Sequence, residues 1–301
     1  MERSFSRCHR VVLLSALVTF SVQCVTAATS DSRENEIESD EMCGRTENVE
    51  EGDGVLTNPG EFPWSVVILR LTELGGMQKY VLICGGTLVS RDKVLTVAQC
   101  VQQVPTANLS VLIGVWHLRD RNTVSKQVLG VDNASIHTGY KLGSKEHNLA
   151  LLTLENNVDE SVTRVCLAAS TQQYESNHNC YTVGWSASFI NGTNQLLRLK
   201  TILLSDRTEC QRDLQRFWHR KYQLLPEALC TRAEDTMDDD YPCSRIIGSA
   251  LVCTKGTRDD PYYLVGVASQ LPRNCSHSAV PPDVFMDLRK YTGWISPLIK
   301  E

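Results

Sequence analysis

The stretch Cys84-Gly-Gly-Thr-Leu-Val-Ser-Arg-Asp-Lys-Val-Leu-Thr-Val-Ala-Gln-Cys100 sits between two apolar runs of strand length, Tyr80–Ile83 before it and Val94–Ala98 within it. Working outward, similar short runs recur at Ser65–Leu71, Val111–Trp116, Leu149–Leu154, Tyr181–Trp185, Leu196–Leu204, Ala250–Val252 and Tyr262–Ala268, each bounded by turn residues. Many short strands without alternating helices point to an antiparallel sandwich or barrel architecture and not to a doubly wound sheet. Two helices are expected. One starts at Asp206, a good N-cap, and ends at Phe217; the other covers Leu288–Ile299, with Tyr291, Trp294, Ile295, Leu298 and Ile299 on one apolar stripe.

The whole chain has 301 residues with 42% hydrophobic and 22% charged residues and a formal net charge of -5, the composition of an ordinary globular protein. Its acidic balance gives no electrostatic footprint for nucleic acid, and no run of 18 apolar residues lies beyond the first thirty positions, so no membrane span is expected. Residues 1–27 read as a secretory signal, with Arg3, Arg7 and Arg10 ahead of an apolar stretch and small residues at Val25 and Ala27. Its removal takes Cys8 and Cys24 with it, and the mature charge becomes -7. Residues 28–53 form an acidic tail or linker, in which only Cys43 offers a covalent tie to the rest of the chain. Ten cysteines then remain, and in an oxidising compartment they predict five disulfides, whose pairing counting alone leaves open. No C-x-x-C pair occurs and the histidines do not cluster with cysteines, so neither a metal nor another cofactor is expected.

The motifs Gly60-Glu-Phe-Pro-Trp64, Cys84-Gly-Gly-Thr-Leu88, Leu95-Thr-Val-Ala-Gln-Cys100, Asn148-Leu-Ala-Leu-Leu152, Val183-Gly-Trp185 and Ala250-Leu-Val-Cys253 occur one after another in this order. In this the chain resembles the chymotrypsin-like serine proteases of the trypsin family, from about Gly54 to the C-terminus. The resemblance implies an all-β fold of two six-stranded antiparallel barrels with a C-terminal helix over residues 54–301, and a cleft between the barrels.

Proteases of this kind need a serine nucleophile, a histidine to take its proton and an aspartate to orient the imidazole. Matched motif by motif, the histidine is Gln99, the aspartate is Asn148 and the serine is Ile247. An amide has no proton that titrates near neutrality and an aliphatic side chain cannot form an acyl-enzyme, so the resemblance implies an inactive protease. Arg245 stands where the family has an oxyanion-hole glycine, and Ile246 where it has the aspartate that pairs with the new amino terminus. In the former specificity pocket Tyr241 takes the place of a trypsin-like aspartate, while Gln270, Leu271 and Asp283 replace residues of its walls, so a filled pocket is expected. A relocated nucleophile would have to be Ser244 or Ser249 with His147 as base; the simpler reading makes these loop residues. His137 and Asp132 are read as surface groups.

The same resemblance pairs Cys84 with Cys100, Cys180 with Cys253, Cys210 with Cys230 and Cys243 with Cys275, and leaves Cys43 to Cys166. Sequons occur at Asn108, Asn133, Asn191 and Asn274; the first three are expected in loops, and the last has a predicted disulfide cysteine as its middle residue. A preserved scaffold with a degenerate site most resembles the secreted, clip-domain-related, masquerade-like homologues of insects, although no clip domain is present. It implies a non-catalytic adaptor or cofactor in an extracellular protease cascade, with a protease, a pro-enzyme or a serpin as partner. Innate immunity, the reproductive tract and a decoy role are the settings it suggests, and a residually active hydrolase is the enzyme alternative.

Overall fold

The computed structural model describes residues 43–46, 55–119, 126–174, 179–186, 194–203, 206–218, 221–233, 246–256, 260–271 and 281–300. Six strands make the first barrel: β1 (Ser65–Leu74), β2 (Met77–Leu88), β3 (Lys93–Thr96), β4 (Leu109–Ile113), β5 (Gln127–Ile136) and β6 (Ala150–Leu154). They close in the order β1-β2-β3-β6-β5-β4, with β4 returning to pair antiparallel with β1. The second barrel uses β8 (Asn179–Gly184), β9 (Leu197–Leu203), β10 (Ala228–Ala233), β11 (Ala250–Thr254), β12 (Tyr263–Gln270) and β13 (Asp283–Asp287). Its order is β11-β8-β9-β10-β13-β12, and the β11–β12 pairing closes it. The two-residue β7 (Cys166–Leu167) lies parallel to β12 as an addition to this barrel. The fold is therefore the pair of six-stranded antiparallel barrels that the motifs imply.

Strands with one face inward alternate, but here the inner halves of β1 and β2 and the whole of β3, β4, β11 and β13 are buried, because each also lies under a neighbouring loop or the other barrel. One continuous apolar core runs through both barrels, with Trp64, Leu95 and Leu151 from the first and Trp185, Val252 and Val267 from the second. Each fully buried aliphatic side chain in it stabilises by roughly 1.5–3 kcal/mol before entropy is set against it. Phe62, Trp64, Tyr181 and Tyr262 pack ring against ring, with centroids 5.6–6.5 Å apart.

Among the described residues, three α-helices complete the fold. The four-residue α1 (Ala98–Val101) follows β3 directly. Helix α2 (Arg207–Phe217) begins as expected: the Asp206 carboxylate accepts from the Thr208 and Glu209 amides at 2.8 and 3.2 Å, and these bonds hold its pKa below the usual carboxylate range. The expected helix over Leu288–Ile299 is corrected to two elements, a 3₁₀ turn at Leu288–Lys290 and α3 (Thr292–Lys300). Asp287 caps the 3₁₀ turn, accepting from the Arg289 amide and holding its guanidinium at 2.8 and 2.9 Å, and the chain re-forms at Tyr291 before α3 starts.

Four disulfides join Cys43 to Cys166, Cys84 to Cys100, Cys180 to Cys253 and Cys210 to Cys230, in agreement with the expected pairing. The fifth expected pair, Cys243 with Cys275, lies outside the described residues, as do residues 1–27 and most of the tail. Cys43 is more than tethered. Gly44 donates its amide to the Arg164 carbonyl and accepts from the Tyr262 amide, each at 2.8 Å, so the segment is held by backbone bonds as well as by sulfur.

Further along, residues 55–61 are fastened to β9. Leu56 bridges to Leu197, Thr57 bonds to Leu196 through both amide and hydroxyl, and Glu61 meets Arg198 at 2.6 Å with both side chains buried. The second Glu61 oxygen accepts from the Asn58 amide, so the carboxylate is satisfied on two sides. Removing one partner of such a pair strands the other charge. Arg198→Met should cost about 3–5 kcal/mol in urea unfolding, and Glu61→Gln added to it should restore part of the loss. Equal stability of Arg198→Met and the parent would show that the pair carries no structural weight.

Candidate functional site

Gln99 opens outward from α1, Asn148 stands immediately before β6, and Ser269 lies near the end of β12, so three elements from two barrels converge. Asn148 has no exposed surface. Its Oδ1 accepts from the Gln99 amide at 2.9 Å and its Nδ2 donates to the Ser269 hydroxyl at 3.0 Å, which satisfies both ends of the buried side chain. The Gln99 Nε2 lies 3.5 Å from the Ser269 carbonyl, and Lys145 Nζ donates to Gln99 Oε1 at 3.1 Å. The structure thus brings Gln99 and Asn148 together, as the motifs imply, and adds two residues that the sequence motifs do not mark. Ser269 falls one residue beyond the apolar run that ends at Ala268. Lys145 sits in a polar loop whose sequence carries no signal of this contact.

Ile247 packs half-buried against the shared core, and its carbonyl accepts from the Gly85 amide at 2.8 Å. Ile246 is buried, with its amide on the Trp185 carbonyl. Gly248 holds the turn between Ile247 and β11 at φ 88°, and a Cβ there would meet the Gly85 carbonyl oxygen at 2.2 Å, so only glycine fits this close approach of the two barrels. The backbone frame around Ile247 is therefore tightly fixed while the side chain offers no nucleophile.

Ser249 and His147 do not form the alternative pair. The Ser249 hydroxyl is buried and donates to the Ile246 carbonyl at 2.5 Å, whereas His147 Nδ1 shares a hydrogen bond of 3.1 Å with the Tyr291 hydroxyl. Ser244, Arg245 and Tyr241 lie outside the described residues. Of the former pocket, Leu271 and Asp283 are buried and Gln270 Nε2 donates to the Tyr222 hydroxyl at 3.2 Å, which places all three in packed surroundings.

Two expectations about exposed groups divide. Asp132 is exposed. His137 is not the surface group expected: it is half-buried, stacks on His147 at 4.8 Å, and meets Tyr291 and Trp294 edge-on at 5.3 and 5.1 Å. A polar neighbourhood in sequence hid these contacts, which α3 and the turn before it supply from the far end of the chain. Among the sequons, Asn108 and Asn133 are exposed, but Asn133 lies in β5 and not in a loop; Asn191 and Asn274 are outside the described residues. Among the described residues no group of three or more His, Cys, Asp or Glu could hold a metal.

The trypsin family profile matches residues 51–295, which spans both barrels and the site between them. The chain belongs to the trypsin family. It is 28% identical over 205 residues to "Inactive serine protease scarface" of Drosophila melanogaster, covering 66% of this chain and 28% of that protein. It is 27% identical over 261 residues to "Inactive CLIP domain-containing serine protease A8" of Anopheles gambiae, covering 83% of this chain and 68% of that protein. With "Serine protease 28" of Mus musculus it shares 27% identity over 253 residues, 80% of this chain and 86% of that one. The trypsin-family chain thus spans less than a third of scarface, and its likeness runs to relatives named inactive and to one that is not.

Burial, and then the neighbouring His147, push the His137 pKa below its ordinary value. A depressed histidine favours the neutral ring in the folded state, so its contribution is present above the unfolded pKa of about 6.5 and is lost as pH falls through the folded value. Thermal unfolding should accordingly show stability declining on acidification below pH ~6.5, with a shallower decline in His137→Phe. Identical pH profiles for the two proteins would remove His137 from the acid response.

Proposed function

We propose that this trypsin-family chain is a secreted, non-catalytic protease homologue that acts by binding proteins, as an adaptor or cofactor of an extracellular protease cascade in innate immunity. The observation that carries this reading is the placement of Gln99 beside Asn148, whose Oδ1 accepts from the Gln99 backbone N–H, so that two residues with amide side chains stand where the family's motifs have a general base and its orienting carboxylate. Gln99 cannot accept a proton from a nucleophile near neutral pH, and Ile247 has none to give. Loss of the nucleophile alone costs about 10⁶ in kcat in proteases of this mechanism. Relatives named as inactive proteases support the same reading.

Secretion is supported by the four disulfides and by the composition of residues 1–27, which we assign as a cleaved signal, followed by an acidic linker at 28–53 and the domain at 54–301. We assign Cys243 and Cys275 to the fifth bridge. The partner fits the class of active proteases, their pro-enzymes or serpins, because a protease-shaped surface without turnover can engage the same proteins without consuming them. A glycoprotein with no cofactor is the form this reading gives the mature molecule.

Two measurements check it. The pure secreted protein should neither hydrolyse mixed fluorogenic peptides nor take up an active-site phosphonate, and affinity capture from native body fluid should return a protease, pro-enzyme or serpin by mass spectrometry. Phosphonate labelling would overturn the non-catalytic part, and absence of the transcript from immune tissue would sink the immune setting.

A further inference from the structure

The β1–β2 hairpin extends past the first barrel. Opposite β2, strand β1 is paired with β4 only over Val67–Arg70, and beyond Arg70 no strand among the described residues takes this side of it. At the hairpin tip Gly75 and Gly76 have φ of 61° and 76°, the two-residue turn that makes Leu74 and Met77 a hydrogen-bonded pair. Alternation along the ladder then turns the backbone N–H and C=O of Leu71 and Glu73 away from β2, toward the unpaired edge. Next to that edge runs the segment leading into β4. Between them lies a groove of about 360 Å³, lined among others by Glu73 and Gln78 of the hairpin and by Gln103, Val104 and Asn108 of the facing segment.

Asn108 is exposed at the end of a 3₁₀ turn and begins the sequon Asn108-Leu-Ser. We propose that Asn108 carries an N-linked glycan whose first N-acetylglucosamine seats in this groove and covers the open edge of β1. The chemistry of the lining suits a sugar. Glu73, Gln78 and Gln103 can donate to or accept from hydroxyls and an acetamide, the backbone of Leu71 and Glu73 adds a donor and an acceptor each, and the half-buried Leu71 and Val104 offer an apolar floor for a pyranose face. In the attachment step Asn108 Nδ2 forms a bond to C1 of the sugar and loses one proton, while the C–O bond to the pyrophosphate of a lipid-linked oligosaccharide donor breaks. An exposed edge bearing Leu71 and Leu74 is an invitation to pair with another chain, and a hydrated glycan is a means of blocking it. Asn133, also exposed, lies on β5, and its Nδ2 donates to Ser135 Oγ at 3.2 Å, away from that groove.

The inference rests on passage through the secretory pathway, and the test supplies that passage independently. The chain is expressed behind a heterologous signal peptide in cultured insect cells, as parent, Asn108→Gln and Asn133→Gln. Peptide mass spectrometry should find Asn108 glycosylated, and Asn108→Gln should lose the mass of one glycan. Hydrogen exchange at the Leu71 and Glu73 amides should be about two- to tenfold faster in Asn108→Gln, the factor that one neutral hydrogen bond supplies, and unchanged in Asn133→Gln. Amidase release of the whole glycan from the folded parent, which hydrolyses the Asn108 side-chain amide to a carboxylate, should reproduce that acceleration, whereas endoglycosidase trimming that leaves the first N-acetylglucosamine should not. An unmodified Asn108 in the secreted protein, or equal exchange with and without its glycan, would overturn the proposal. Both readouts use the isolated protein, so failure to capture a partner leaves them untouched.

Discussion

The buried amide of Asn148 is the constraint on which the centre of the molecule depends. It lies between the first helix and the last long strand of the second barrel, and it must both accept from the Gln99 amide and donate to Ser269 with its side chain closed off from solvent. A carboxylate could accept both bonds, but it would be a fully buried charge, and such a charge needs a cationic or hydrogen-rich neighbour to be tolerated. In a working protease of this kind the adjacent histidine becomes that cation during the reaction. Gln99 never can. A neutral partner at 99 and a neutral partner at 148 therefore belong together: each removes the electrostatic reason for the charged form of the other, and the hydrogen-bonded link between the barrels is kept.

The same logic extends to the turn around Ile247. The Gly85 amide donates to the Ile247 carbonyl and the Gly248 amide to the Ala268 carbonyl, backbone bonds that need no particular side chain at 247, so the frame tolerates an isoleucine that packs against the core. Burying that aliphatic group is favourable by roughly 0.8 kcal/mol for each methylene removed from water, which a serine facing a cleft would not supply. Lys145 then donates from its ammonium to the Gln99 side-chain carbonyl oxygen, so the outer face of this amide carries a positive group.

Much of this was legible in the chain because the informative residues are local. Apolar runs such as Ser65–Leu71 and Leu149–Leu154 reveal strands by themselves, and the motifs in their order implied a pair of six-stranded barrels. Strands β5, β7, β10 and β13 escaped the reading for physical reasons: β5 contains Gly130, Asp132 and Asn133 around a bulge, and β7, β10 and β13 are segments of two to six residues, so pairing and not propensity makes them strands. The contacts of His137, Ser269 and Lys145 are long-range, and the sequence around each of them gives no sign of its partner. Nothing in a window of neighbours can say that α3 will return to cover His137 after more than 150 intervening residues.

What remains outside the frame is surface, and there the physics separates two regions. The interior is held by closed ladders, four disulfides and a continuous core, and its buried polar side chains Asn148, Glu61 and Arg198 are committed to internal partners. The β1–β2 hairpin has the opposite character: Leu74, Met77, Tyr80 and Val81 are exposed, and its ladder continues after the barrel has closed. Exposed apolar side chains on an extended ribbon cost solubility unless something covers them. Cross-strand pairing places Arg70 with Val81, Thr72 with Lys79 and Leu74 with Met77 on one face, and Leu71 with Tyr80 and Glu73 with Gln78 on the other. The groove beside Asn108 runs along the edge of β1 and is lined from both faces, by Arg70 and Thr72 as well as by Leu71, Glu73 and Gln78. A cover seated in that groove would screen the unpaired backbone of Leu71 and Glu73, while Met77 and Val81 of β2, which do not line it, would stay in contact with solvent.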